Sequence, residues 1–213
     1  MCRLLAVRDA DPFDISGHLE SFASIARASR EYQGDGWGCA WRVGESWHRF
    51  RTTRPIWECD LGGFGRTSLL LAHVRSAFRN EGLIEENNMP FLDGTRAFVF
   101  NGELHRVKID ELGSTGARKI FNYICRFRGM GTSGAFERAT GIIRKRTGYV
   151  KAMNIILSAD RTLHLLTSYR EQNEYFTMHV KKDGSRLMIC SEPYPDADRW
   201  SAVPNDTLEV FPS

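Results

Sequence analysis

The sequence predicts an α+β fold built on antiparallel sheets. Strand-like runs dominate its first half, two adjacent helices follow, and strand-like runs return toward the C-terminus. Strands and helices do not alternate in the way that builds a parallel sheet. At 213 residues, with 42% hydrophobic and 26% charged side chains, the chain suits one globular domain over 1–213 that buries roughly 70% of its unfolded surface.

CRLLAV opens the chain as an apolar run of strand length. After the turn-like DADPFD, ISGHLESFASIARAS places Ile15, Leu19, Phe22 and Ile25 at helical spacing. GWGCAWRV and SWHRFRTT, separated by a Gly-containing turn, read as a hairpin. SLLLAHVRSA (68–77) and TRAFVFNGEL (95–104) are apolar and aromatic enough for strands. Helices are expected near 116–128, periodic in Ile120, Ile124 and Phe127, and near 133–146, periodic in Phe136, Ala139, Ile142 and Ile143. Further strands are expected near 151–158, 162–168, 174–181, 185–191 and 207–211, with SADRT and KKDGS as turns.

Composition excludes several function classes. A net charge of +3 is too small to imply a nucleic-acid or membrane partner, and the basic stretches at 119–129 and 142–151 read as solvated helix faces. No apolar run is long enough to span a bilayer and no secretory leader pattern is present, so a cytoplasmic location is expected. The five cysteines, Cys2, Cys39, Cys59, Cys125 and Cys190, are scattered and show no CxxC spacing, which argues for reduced thiols over a disulfide framework or a zinc site. The histidines show no metal-ligand spacing, and no phosphate loop occurs in GDGWGCAW, whose glycines around Asp35 and Trp37 imply close backbone approach or positive φ. No cofactor is implied.

Candidate chemistry begins at position two. A cysteine at a processed N-terminus combines a thiol nucleophile with an α-amino group of pKa about 7.7–8.0 that can accept its proton. A small hydrophobe in a strand is the alternative reading of Cys2. Asn101 and Gly102 follow the strand AFVF; an Asn amide and a neighbouring N–H can stabilise an oxyanion, although Asn-Gly is also a strong hairpin-turn signal. Arg75 closes an apolar strand, either as a two-pronged clamp for a carboxylate or as a structural ion pair.

Six segments in order, MCRLLA, DGWGCAW, HVRSA, NNMPF, FNGEL and ICSEP followed by Trp200, resemble the class-II glutamine amidotransferases of the N-terminal nucleophile (Ntn) hydrolase group, in their stand-alone single-domain branch. That resemblance implies a four-layer αββα sandwich of two antiparallel sheets flanked by helices. It implies Cys2 as nucleophile once Met1 is removed, with its own amino group as base. Asn101 and Gly102 become the oxyanion hole, and Arg75, with Ser76 beside it, holds the α-carboxylate of a glutamine or γ-glutamyl group. The implied reaction releases an amine and then hydrolyses a γ-glutamyl thioester, with a small-molecule amide as substrate and, for ammonia transfer, a separate synthase or acceptor subunit.

The sequence also departs from the family pattern. Phe78 stands where a serine or threonine is usual, and Met89 and Phe100 stand where histidine is common. In STGAR (114–118), Gly116 and Arg118 replace two acids, the first of which binds the α-ammonium of glutamine in relatives. Loss of a charge-assisted partner removes about 1.5–3 kcal/mol. Gly116 is therefore a candidate substrate-binding position with altered chemistry, favouring an amide other than free glutamine. A non-catalytic ligand- or partner-binding protein of the same fold is the alternative that this substitution raises.

Overall fold

The computed structural model describes residues 1–77, 82–195 and 198–213. Strand β1 (Arg3–Asp14) leads into helix α1 (Ile15–Ala28), then the hairpin β2 (Trp37–Val43) and β3 (Ser46–Thr52), and β4 (Arg66–Val74). The short β5 (Phe91–Asp93) and the long β6 (Arg96–Val107) precede helices α2 (Gly116–Cys125) and α3 (Gly131–Lys145). The chain then runs through β7 (Thr147–Ala159), β8 (Thr162–Thr167), a single-turn α4 (Asn173–Phe176), β9 (His179–Asp183), β10 (Arg186–Cys190), β11 (Ser201–Ala202) and β12 (Thr207–Phe211). No helix among the described residues is long and apolar enough to cross a membrane.

Two antiparallel sheets result. One has the order β11-β9-β10-β1-β4-β2-β3, the other β12-β8-β7-β6-β5. Period-two alternation gives each strand an inner and an outer face. In β1, Leu4 and Ala6 meet the second sheet, while Leu5 and Val7 meet α1. In β4 the same split separates Leu69 and Leu71 from Leu70 and Ala72. Helices α2 and α3 cover the outer face of the second sheet through Ile120, Phe121, Ile124, Phe136, Ala139 and Ile143. Helix, sheet, sheet, helix is the four-layer αββα sandwich.

Helix α1 starts where Asp14 accepts a hydrogen bond from the Ser16 N–H at 2.8 Å, and its buried side includes Ile15, Leu19, Phe22 and Ile25, as their spacing predicts. Two local expectations fail. DADPFD is not a turn: β1 continues through it to Asp14, absorbing the irregularity as a register shift between Arg8 and Phe13 against β4. Residues 174–181 are not one strand either. Gln172 adopts a left-handed conformation, and the helical turn that follows buries the neighbouring Tyr175 and Phe176 together, where a strand would place them on opposite faces. The pairing β5–β6 was not legible because β5 is only three residues long.

On the outer side of the second sheet Phe98 sits 6.4 Å from Phe91 and 5.2 Å from Phe121, ring centre to ring centre, and none is exposed by more than 2%. Phe98→Ala should cost about 3–5 kcal/mol through lost burial and an uncollapsed cavity. Urea unfolding measures this; a loss below about 1 kcal/mol would contradict the packing described.

Candidate active site

Antiparallel pairing of β1 with β4 sets Arg3 beside Val74 and Leu4 beside His73, so the start of one strand adjoins the end of the other. Cys2 therefore arrives next to Arg75 and Ser76. Its thiol lies 3.7 Å from the Ser76 carbonyl oxygen, to which it donates. Pairing of β2 with β4 brings Asp35 and Gly36 to the same place: the Arg75 N–H donates to Gly36 (2.9 Å), the Asp35 N–H to Arg75 (3.2 Å), and the Ala77 N–H to the Asp35 carboxylate (2.7 Å). Gly36 has φ +109°, and a Cβ there would stand 2.5 Å from the Thr52 carbonyl oxygen, which meets the expectation for GDGWGC.

The second sheet supplies the opposite wall. β5 pairs with β6 only as far as Phe98, so the following residues of β6 run on past its end. Asn101 and Gly102 lie inside β6, paired with Asn154 and Met153 of β7, so they form no hairpin turn. A Cβ on Gly102 would come within 2.1 Å of the Ala152 carbonyl oxygen, so the strand tolerates no side chain there. Asn101 is 1% exposed, yet neither its amide nitrogen nor its amide oxygen has a hydrogen-bond partner.

Cys2, Arg75, Ser76, Asn101 and Gly102 border one cleft of about 470 Å³, a volume suited to a small molecule. Burial pushes the Cys2 thiol pKa up; the chain's terminal ammonium, the Ser76 backbone and the Arg75 guanidinium each pull it down. The Arg75 guanidinium is fixed by the Gly82 carbonyl (2.8 Å) and the Asn88 side-chain oxygen (3.1 Å), and Asn88 is anchored in turn on Thr52 (2.7 Å). Such fixing removes the entropy that an arginine clamp otherwise loses on binding.

Gly116 is not among the residues bordering this cleft. It begins α2 and borders a neighbouring cavity of about 300 Å³, which shares Phe100, Gly102 and Ala117 with the cleft. The STGAR segment is a helix start: the Thr115 hydroxyl accepts from the Arg118 N–H (3.2 Å), and the Ser114 hydroxyl donates to Asn87 (2.6 Å). Arg118 turns away from the cleft and stacks 3.5 Å from the centre of the Phe91 ring. Of the other departures, Met89 and Phe100 border the cleft, while Phe78 lies outside the described residues.

Other residues, given no role from the sequence, also border the cleft. Glu103 occupies the same face of β6 as Asn101 and binds Lys151 (3.0 Å) and His105 (2.9 Å). Glu31 meets the Met1 ammonium. His73 is fully buried with neither ring nitrogen partnered. No group of three His, Cys, Asp or Glu among the described residues is placed to hold a metal ion.

No protein-family model matches the sequence. The chain is 26% identical over 198 residues to a gamma-glutamyl-hercynylcysteine sulfoxide hydrolase of Mycolicibacterium smegmatis, covering 89% of this chain and 83% of that protein. Among solved structures it is similar to a glutamine aminotransferase class-II domain protein from Silicibacter pomeroyi, with TM-score 0.66, 16% identity, and coverage of 100% of this chain and 95% of that one. It is also similar to a predicted glutamine amidotransferase from Pseudomonas aeruginosa, with TM-score 0.61, 17% identity, and coverage of 99% and 97%. These structural likenesses establish the fold.

Burial lowers the His73 pKa from 6.5 to about 3, with Arg75 and the terminal ammonium adding to the effect. Between those values the unfolded chain binds a proton that the folded chain does not. Stability should therefore fall as pH drops through this window, by up to about 1.4 kcal/mol per pH unit from this residue. Urea titrations across pH should show a flatter slope in His73→Gln; equal slopes in both proteins would refute the assignment.

Proposed function

We propose that this chain, which has the fold of the class-II glutamine amidotransferase domains, is an N-terminal-cysteine amidohydrolase acting on γ-glutamyl-type amides through a thioester. The observation that carries the reading is the buried Asn101 amide, unpartnered and bordering the same cleft as Cys2 and Arg75. An unsatisfied buried amide costs about 1–3 kcal/mol, a cost a functional role can sustain. A γ-glutamyl bond is also what the name of the mycobacterial relative specifies for that protein.

Removal of Met1 frees the Cys2 α-amino group. That amine takes the thiol proton, and the thiolate attacks the amide carbonyl carbon. The Asn101 side chain and the Gly102 N–H donate to the oxyanion as it forms, an effect worth about 2.7–4 kcal/mol per donor. The C–N bond then breaks, and the Cys2 ammonium returns its proton to the leaving nitrogen, leaving an acyl thioester on sulfur. Water attacks the thioester, giving a proton to the same amine. The carboxylic acid departs and sulfur recovers a proton.

Arg75 holds the substrate α-carboxylate. With Arg118 stacked on Phe91, we assign the α-ammonium to Glu103, which borders the cleft one residue beyond Gly102 and on the same face of β6 as Asn101. A wall acid on β6 thus takes the place of the family's acid at the start of α2.

Cys2→Ala should abolish turnover, and Asn101→Ala should lower kcat by about 10²–10³ with a near-native melting temperature. Retained turnover in Cys2→Ala would end this reading. Because the free amine is the active form, kcat/KM should rise with pH around a midpoint of about 8 and fall below it. A stopped-rate pH profile tests this; an unchanged midpoint after α-amine acetylation would rule the amine out as the base.

A further inference from the structure

Met1 occupies a built site. Its carbonyl oxygen accepts from the Gln33 side-chain amide (2.6 Å) and from the Tyr175 hydroxyl, and its ammonium pairs with Glu31. Its side chain packs on Ala152, Tyr169, Tyr175 and Phe176. Gln33 is fully buried and Tyr175 is 6% exposed. Tyr175 is held in turn by Arg3, whose guanidinium lies 3.9 Å from the ring centre and is itself paired with Glu192 at 3.0 Å. A residue that is discarded on maturation does not by itself require so specific a receptor.

We infer that this space is the leaving-group half of the substrate site, and that it selects amides whose amine portion is amino-acid-like and positively charged. The inference rests on the N-terminal-cysteine reading given above. In that chemistry the Cys2 amine must hand its proton to the leaving nitrogen, so the two nitrogens lie within about 3 Å of each other. Whatever the leaving nitrogen carries therefore begins beside the Cys2 nitrogen, where Met1 is now attached.

Met1 itself reports the chemistry of the walls. Gln33 and Tyr175 present donors for a carboxylate or carbonyl oxygen. The aromatic patch receives an unbranched chain of about methionine length. Glu31, whose one ion pair among the described residues is with the Met1 ammonium, receives a cation. Glutamine releases only ammonia and makes none of these contacts. An acidic leaving amine would face Glu31 and, beside the cleft, Glu103.

The test uses full-length protein shown by intact mass to lack Met1. Four substrates share one acyl group: glutamine and the γ-glutamyl amides formed on the α-amine of lysine, methionine and glutamate. The expected order of kcat/KM is lysine, methionine, glutamine, glutamate, with lysine about tenfold or more above glutamine. Glu31→Gln should lower the lysine-to-methionine ratio about tenfold, and Tyr175→Phe should lower both dipeptides relative to glutamine.

Glutamine cleaved as fast as the dipeptides, or an unchanged ratio in Glu31→Gln, overturns the inference. Alkylation of Cys2 by a diazoketone analogue of glutamine separates the two levels. Labelling of Cys2 without cleavage of any dipeptide sinks the leaving-group pocket alone; absence of labelling sinks the amidohydrolase reading and the pocket with it.

Discussion

The site depends on one constraint, the face-to-face packing of two antiparallel sheets. Stacked sheets lie about 10 Å apart, and through most of this molecule apolar side chains such as Leu4, Leu71, Val99 and Ile156 fill the gap between them. At one end polar groups take over: Cys2 and Arg75 beside the first sheet, Asn101 and Glu103 on the second. Each sheet alone carries half of the cleft. The register Leu4↔His73 and the pairing Asn101↔Asn154 fix those halves, and the hydrophobic packing between the sheets sets them opposite one another.

Polar groups at this end are held mainly by backbone atoms, and the side-chain anchor Asn88 is itself fixed on the Thr52 carbonyl. Arg75 is anchored on Gly82 and Asn88, Asp35 on the Ala77 N–H, and Asn154 on the Phe176 carbonyl (2.7 Å). A site of this kind reorganises little when charge develops, which is where preorganised dipoles have their effect. His73 belongs to the same rigid wall. Buried and neutral, it adds shape without adding charge, so the basic side chains that bring charge to the cleft border are Arg75 and Lys151, the latter paired with Glu103.

Strong local signals were legible. Helix α1 follows from four apolar residues at helical spacing, and the β2–β3 hairpin from two aromatic-rich strands around a glycine turn. The segments MCRLLA, HVRSA and FNGEL marked residues that do share a cleft. Weak local signals misled. EYFTMHVK has the alternation of a strand, yet Tyr175 and Phe176 enter one aromatic cluster from a helical turn. Asn-Gly resembles a hairpin turn, but β7 pairs across it and the glycine is required by the close Ala152 carbonyl. In both cases tertiary contact overrode a short-range preference.

By itself, the sequence determined most element types, the antiparallel architecture and a short list of reactive side chains, because periodicity and residue chemistry are local properties. Only the tertiary structure decided which of those side chains meet. It turned Arg118 onto Phe91 and set Gly116 beside a neighbouring cavity, while bringing Glu31, Gln33, Glu103, Lys151 and Tyr175 around Cys2 from distant parts of the chain. No spacing rule links residues 31, 103 and 175. Their convergence exists because strand register and sheet packing act over the whole fold, and a linear pattern carries neither.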